Sequence, residues 1–231
     1  MKKITKLASI ALLLTSVTST AFADNWNIGA SASYGNLDGN ASDTQVGPTE
    51  TVGQTRGSKS GDADFPFASI FVEYAKTMDK DLDIIIGLDY VPFKAEIDSK
   101  SFADTSLEAA TTGTGTRQAK LELENYATLY LQPTYKIGGG TAVFGKVGYI
   151  HGDVKISGSN TATGSTINAT DTLNGYVVGL GVQHNINKNV FVRLEGSYTD
   201  HDDVTATDSL GTKFTADSEL IAGKISIGYS F

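Results

Sequence analysis

Hydrophobic and polar residues alternate along most of the chain after residue 23, most clearly at its end. From residue 221 to residue 231, every second position is Ile221, Gly223, Ile225, Ile227, Tyr229 or Phe231, with small or polar residues between them. A two-residue period places the two sets on opposite faces of a β-strand. Seven further segments show this period, and the eight together predict an all-β chain: 26–34, 67–76, 82–91, 121–135, 141–151, 174–184, 190–199 and 214–231.

The connections between these predicted strands alternate in length. Short polar turns occupy residues 77–81, 136–140 and 185–189, whereas residues 35–66, 93–120, 152–173 and 200–213 form long segments rich in Ser, Thr, Gly and Asp. Most of the strands are close to the roughly 9–11 residues with which a tilted strand crosses a bilayer. The pattern predicts an eight-stranded antiparallel up-and-down transmembrane β-barrel with four long extracellular loops and short periplasmic turns. We expect no regular structure within the long loops.

Alternation alone does not say which face is turned inward, because a soluble barrel would bury the apolar set. The apolar face carries aromatic residues where the strands end, as in the interfacial girdles of membrane barrels. One predicted ring lies near the short turns: Trp26, Tyr74, Tyr135, Tyr229 and Phe231. The other lies near the long loops: Tyr34, Tyr90, Tyr149, Tyr176 and Tyr198.

The opposite face is small or charged. A lysine or arginine facing lipid at the bilayer midplane costs about 2–4 kcal/mol, so this face is predicted to line the lumen. A lumen of eight strands is only wide enough for side chains to fill, so charges within it must pair. The predicted inward charges are Glu73, Asp83, Asp89, Glu124, Lys146, Arg193, Glu195 and Lys224.

The first 23 residues have the features of a secretory signal peptide. Three lysines precede the apolar run 7–14, and Ala21 and Ala23 form a small-x-small cleavage pattern before Asp24. Residues 24–231 are then the barrel domain. Cleavage removes three of the 18 basic residues and none of the 26 acidic ones, leaving a formal net charge of −11. This charge argues against nucleic acid as a partner, and the lack of cysteine excludes disulfides and thiolate metal sites.

Several segments carry a family resemblance. Residues 175–183 (GYVVGLGVQ) and 190–198 (VFVRLEGSY) resemble the penultimate hairpin of small Gram-negative outer-membrane barrels of the opacity and OmpA-like type. Residues 143–149 resemble the fifth strand of these barrels, and residues 223–231 their closing strand with its terminal phenylalanine. The family usually has an acidic residue and a tyrosine where this chain has Gln183 and His184.

The resemblance implies a location in the outer membrane of Gram-negative bacteria and contact with outer-membrane lipid and lipopolysaccharide. It also implies insertion by the barrel-assembly machinery, which reads the last strand. The residues of this strand that would carry the assembly signal are Ile225, Ile227, Tyr229 and Phe231.

Six of the inward charges are predicted to form a network in the lumen: Glu73, Asp89, Lys146, Arg193, Glu195 and Lys224. Such a network could act as a gate that closes a narrow ion path. We favour a static arrangement that satisfies buried charge, because an unpaired buried ion is costly whether or not anything passes.

The chain offers no convincing catalytic, cofactor or metal site. None of its three histidines, His151, His184 and His201, lies in the His-x-Ser pattern of barrel lipid hydrolases. The barrel proteases combine Asp and His, but Asp200 and His201 are adjacent, so their side chains should diverge on a strand. The acidic run 200–203 could hold a divalent cation, but we favour a solvated loop, because acidic runs are usually surface charge. We therefore predict no enzyme activity.

The leading functional hypothesis is a structural and interactive surface protein, which stabilises the envelope and presents its loops to a host or cell-surface ligand. The alternative is a small porin-like channel or carrier that moves ions or small molecules along a narrow axial or lateral route. A barrel lipid hydrolase or protease is a more remote alternative.

Overall fold

The computed structural model describes residues 24–44, 55–106, 113–161, 164–207, 209 and 213–231, so the predicted signal peptide lies outside it. Among these residues, no helix is long and apolar enough to cross a membrane. The described residues form nine strands: β1 (Asp24–Thr44), β2 (Thr55–Asp79), β3 (Leu82–Tyr90), β4 (Ala95–Ser106), β5 (Gly113–Gly138), β6 (Thr141–Asn160), β7 (Ser165–Asn185), β8 (Val190–Thr207) and β9 (Lys213–Ser230).

The strands close into an antiparallel barrel of eight positions. Their order is β3-β2-β1-β9-β8-β7-β6-β5-β4, and an additional pairing of β3 with β5 closes the sheet. Residues 82–90 of β3 pair with residues 127–135 of β5, and β4 pairs with the preceding portion of β5. Because β3 and β4 pair with successive portions of β5, they together occupy one strand position in the barrel. The predicted eight-stranded, all-β, up-and-down barrel is confirmed.

The expectation that the long loops lack regular structure is wrong for the described residues. β1 continues to Thr44 and pairs throughout with β2, which begins at Thr55. β4 lies entirely inside a segment that we expected to be a loop. These segments are rich in Gly and Asp, which have low strand propensity, so hydrogen bonding to the neighbouring strand decides their conformation.

The short turns lie where the sequence placed them. Lys80 and Asp81 alone connect β2 to β3. Between β5 and β6, Gly138, Gly139 and Gly140 have φ angles of 96°, 61° and 75°. Glycine adopts this left-handed conformation without the steric penalty of a Cβ atom, which explains the triple glycine.

The apolar face of the strands points outward. Ile225 and Ile227 on β9 are 61% and 56% exposed, whereas Glu73 on β2 and Arg193 on β8 are 1% and 4% exposed. The tyrosines of the loop-side ring also lie on the outer surface, where Tyr149 and Tyr176 stack edge to face with their ring centroids 5.5 Å apart. We assign the membrane-spanning segments to the region of the barrel between the two aromatic rings. The strands beyond Tyr198 and its ring partners then project from the membrane.

Candidate functional site: the barrel lumen

The lumen changes character along the barrel axis, and β8 shows the change most directly. Arg193, Glu195, Thr199 and His201 are all buried and lie on the inward face of this strand, in order from the short-turn end towards the long-hairpin end. Ionised side chains therefore occupy the region of the lumen within the membrane. Beyond His201, towards the long-hairpin end, the inward side chains are mainly apolar.

The innermost ion pair joins Arg193 to Glu73 in a bidentate contact. Arg193 Nη1 lies 2.5 Å from Glu73 Oε1, and Nη2 lies 2.8 Å from Oε2. The Glu73 carboxylate also accepts hydrogen bonds from the Tyr130 hydroxyl (2.5 Å) and from Asn27 Nδ2 (3.1 Å). Arg193 Nε donates to the neutral amide oxygen Oε1 of Gln183 at 2.7 Å. This buried pair has every charge-bearing group hydrogen-bonded, as its burial requires.

Two further ion pairs lie between Arg193 and His201. Lys146 Nζ donates to Glu195 Oε2 at 2.5 Å, and Lys224 Nζ donates to Asp89 Oδ2 at 2.9 Å. The Lys146 ammonium also lies over the Tyr130 ring, 4.4 Å from its centroid. The six charged residues selected from the sequence thus form three pairs. Their charges cancel, so the network holds no net charge that would attract ions of one sign.

Aromatic rings fill the remaining space by packing on glycines of the lumen wall. A Cβ atom built on Gly228 would lie 2.2 Å from Phe191 Cζ, and one on Gly181 would lie 2.3 Å from Phe144 Cζ. Gly29 and Gly87 have the same relationship to Phe71 and Tyr130. Rings and ion pairs together occupy the lumen within the membrane, which leaves no wide axial path there.

Glu124 does not join this network, so its predicted inward orientation is wrong. Asn125 has a φ angle of 53°, and the pairing of β5 with β6 shifts between Glu124 and Ala127. This irregularity changes the phase of the strand, so that Leu123 and Tyr126 both face inward. Glu124 instead forms an ion pair with Lys94 on the outside.

An apolar cavity of about 360 Å³ lies in the projecting half of the barrel. This half reverses the arrangement found within the membrane, because its inner face is apolar while charged residues such as Lys120 and Glu122 pair on its outer face. Ligand pockets in proteins commonly measure about 300–1,000 Å³ and are mostly apolar. The cavity is lined by side chains that include Leu37, Phe65, Ile97, Leu123, Val154 and Leu173.

Tyr126 and His201 form the polar floor of this cavity. The Tyr126 hydroxyl lies 3.2 Å from His201 Nε2 across the lumen, and Ser218 Oγ lies 3.3 Å from Nδ1. Burial lowers the pKa of His201, because the imidazolium loses hydration, although a hydrogen bond with the Ser218 backbone and the carboxylates of Asp200 and Asp202 act in the opposite direction. His201 is therefore neutral at neutral pH.

The other predicted candidates lie apart from this cavity. Asp200 is exposed while its neighbour His201 is buried, which agrees with the predicted divergence of their side chains. His151 and His184 are exposed and hydrogen-bond Asn174 and Thr141. The described residues contain no group of three or more metal-ligating side chains that could hold an ion.

One side of the projecting half lacks strand pairing. The pairing of β2 with β3 ends at Ile70 and Tyr90, at the level of the loop-side aromatic ring. Beyond this point, among the described residues, β2 pairs only with β1, and β4 pairs only with β5. Proline has no N–H to donate, and Pro66 and Pro92 occur on the two sides of this seam, where no ladder bond is required. Phe65 and Ile97 line the cavity from the two strands that border the seam.

A closed barrel with an apolar outer surface and an ion-paired lumen defines an integral outer-membrane β-barrel. The chain matches the family model described as the outer membrane protein beta-barrel domain over residues 9–218. It therefore belongs to this family, and its location is the outer membrane of Gram-negative bacteria. No curated protein sequence is significantly similar to the chain.

Solved structures of small outer-membrane barrels share the fold. OprG from Pseudomonas aeruginosa is 17% identical, with 91% of this chain and 97% of that chain covered and a TM-score of 0.52. Ail, the attachment invasion locus protein of Yersinia pestis, is 13% identical, with 89% and 98% covered and a TM-score of 0.44. The outer membrane protease OmpT from Escherichia coli is 12% identical, with 94% and 100% covered and a TM-score of 0.48. A fold does not by itself define a function, so the function has to be argued from the site.

Proposed function

We propose that this barrel is a carrier that takes up small apolar molecules in its outer cavity and passes them sideways towards the membrane. The observation that carries the proposal is the apolar cavity of about 360 Å³ above a lumen blocked by ion pairs. Apolar cavities stay dry and bind apolar molecules, and one of about 150 Å³ already holds benzene. The cavity has room for a molecule of two fused rings.

The seam between β2 and β4 supports a lateral rather than an axial route. An axial route would have to separate three buried ion pairs, each of which becomes costly once a partner is lost. A lateral route only has to move apart a pair of strand edges that share no ladder hydrogen bonds. The seam starts at the level of the loop-side aromatic ring, so a molecule leaving through it would reach the outer boundary of the bilayer.

Binding of naphthalene to the refolded barrel in nanodiscs tests this proposal, with its partition into empty nanodiscs subtracted. Ala63→Trp and Ala216→Trp each place a large ring among the cavity-lining residues, and either should abolish the barrel-specific binding. The matched control is Leu180→Trp, because Leu180 lies on the outer surface and is 75% exposed. Equal binding by the wild type and both cavity variants would contradict a carrier role.

The projecting hairpins favour surface contact as a second function. β1 and β2 remain paired from Tyr34 and Pro66 out to Thr44 and Thr55, which presents a long two-stranded rib beyond the aromatic ring. Such a rib could contact lipopolysaccharide or a ligand on a host or neighbouring cell. Shortening residues 35–66 should abolish cell adhesion while the barrel stays heat-modifiable on gels. Unchanged adhesion would contradict this function.

A further inference from the structure

The cavity contains one polar cluster, formed by Tyr126, His201 and Ser218. Tyr126 and His201 are each 6% exposed, and all three residues line the cavity. They come from β5, β8 and β9, so the cluster spans the lumen and does not belong to one hairpin. A site that needed only to enclose hydrocarbon would gain nothing from a buried histidine, because desolvating polar groups is costly.

The hydrogen bonds of the cluster form a chain that can run in two directions. In one tautomer, Ser218 donates to His201 Nδ1 and Nε2–H donates to the Tyr126 oxygen. In the other, Nδ1–H donates to Ser218 and the Tyr126 hydroxyl donates to Nε2. The first direction leaves lone pairs of Ser218 free to accept a bond, and the second leaves its O–H free to donate one. The cluster therefore matches a hydroxyl or a carbonyl group equally well.

The charges around the cavity restrict the head group further. The described residues that line it include no lysine or arginine, and Asp62 and Asp217, whose backbone borders it, have exposed side chains. A carboxylate head would therefore lose its hydration without gaining a cationic partner. A neutral head group avoids this cost.

We propose that the cavity selects neutral molecules that combine an apolar body with one hydroxyl or carbonyl group, and that His201, Tyr126 and Ser218 bind this group. The inference rests on the proposed carrier function and adds the chemical class of its ligand. A hydrogen bond at the floor would fix the orientation of the molecule, with its apolar body among the aliphatic side chains above. An alcohol, a phenol or a ketone of one or two rings meets these requirements.

Three probes of nearly equal size test the inference: naphthalene, 2-naphthol and 2-naphthoate. Binding is measured with the full barrel in nanodiscs, and each value is corrected for partition into empty nanodiscs. The wild type should bind 2-naphthol about tenfold more tightly than naphthalene, the effect of one net hydrogen bond, and should bind 2-naphthoate more weakly than 2-naphthol.

Two variants test whether the polar cluster causes the preference for 2-naphthol over naphthalene. His201→Leu and Tyr126→Phe should each lower the affinity for 2-naphthol relative to that for naphthalene, measured with the same variant, about tenfold. Tyr126→Phe removes a single oxygen atom, so it preserves the packing if His201→Leu disturbs folding, and heat-modifiability on gels checks both. His151→Leu is the matched control, because this histidine is exposed on the outer side of β6.

The outcomes separate this inference from the carrier proposal. If naphthalene and 2-naphthol bind equally and neither variant changes their affinities, the polar cluster does not select the head group, although the apolar cavity stands. If 2-naphthoate binds most tightly, the neutral head group is wrong. If none of the probes binds above the empty-nanodisc level, the carrier function itself fails.

Discussion

Arg193 on β8 and Glu73 on β2 face each other through the lumen and share two contacts, of 2.5 and 2.8 Å. The strands that carry them are separated in the sheet by β1 and β9, so the pair crosses the interior instead of following a ladder. The hydroxyl of Tyr130, on β5, donates a hydrogen bond to Glu73 and so connects a third strand to the pair. The pair therefore ties together β2, β5 and β8, three separate regions of the wall.

Removal of Glu73 should destabilise the barrel strongly. Glu73→Ala leaves the Arg193 guanidinium buried without a counter-ion, which typically costs about 3–5 kcal/mol. Urea unfolding in lipid bilayers, followed by tryptophan fluorescence, measures the free energy of unfolding. Lys80→Ala is the control, because Lys80 and Asp81 form an exposed ion pair in a turn, which contributes about 0–1 kcal/mol. Equal losses for the two variants would contradict a structural role for the buried pair.

The same network should keep the axial path closed. The wild type is expected to give no stable single-channel currents in planar bilayers, because three ion pairs and the aromatic rings fill the lumen. The double variant Glu73→Ala with Arg193→Ala removes the bidentate pair and leaves neither partner unpaired. It should conduct measurably. Currents of the same size in both proteins would show that the network is not a barrier.

The glycines beneath the aromatic rings should resist substitution. Gly228→Ala would put a Cβ atom 2.2 Å from the Phe191 ring, whereas a Cβ atom at Gly223 on the same strand would meet nothing within 4 Å. Overpacking of this kind usually costs about 1–3 kcal/mol. Unfolding of the two alanine variants under identical conditions checks the prediction. A loss of stability for Gly223→Ala as large as that for Gly228→Ala would contradict it.

The sequence predicted the membrane-spanning half of the fold well, because lipid imposes a simple rule. Outward residues must be apolar, so Ile225 and Ile227 alternate regularly with small or polar residues, and inward charges such as Lys146 become easy to identify. Arg193 and Glu195 could be assigned to the lumen from their two-residue spacing alone. The partner of each buried acid or base could not be predicted, since the pairing depends on the stagger of the eight strands.

The strands of the projecting half were not predicted from the sequence, for two physical reasons. Its outer face meets water and its inner face is apolar, so the rule that holds within the membrane reverses there. The irregularities at Asn125 and between His201 and Val204 also shift the two-residue phase at the floor of the cavity. A two-residue alternation continued without interruption through Glu124 therefore assigned this residue to the inner face, although it lies on the outer one. The signal that could have been used is the continued apolar alternation of Val154 with Ile156 inside the predicted loop 152–173.

The end of β9 is proposed to carry the assembly signal, formed by the outward side chains of Ile225, Ile227, Tyr229 and Phe231. Tyr229 and Phe231 stack edge to face with centroids 5.1 Å apart, and the Phe231 N–H donates to the Trp26 carbonyl at 2.9 Å. Under this proposal the assembly machinery reads this strand, so Phe231→Ala should slow insertion into the outer membrane of cells. Refolding of the purified variant in detergent should be nearly normal, since Phe231 is 62% exposed. Normal insertion in cells would contradict the assignment.

The lowered pKa of His201 predicts that the barrel becomes less stable on mild acidification. An unfolded histidine binds its proton near pH 6.5, whereas the buried imidazole of His201 resists protonation, so the unfolded state holds more protons as the pH falls. The stability contributed by neutral His201 is complete above about pH 6.5 and is lost as the pH falls from there towards the lowered pKa of the folded state. A hydrogen bond with the Ser218 backbone and the carboxylates of Asp200 and Asp202 oppose this shift, so the wild type alone does not isolate the contribution of His201. His201→Gln isolates it: between pH 7.5 and 5.5, the wild type should lose more free energy of unfolding than the variant. Parallel losses in both proteins would mean that His201 is not the group responsible.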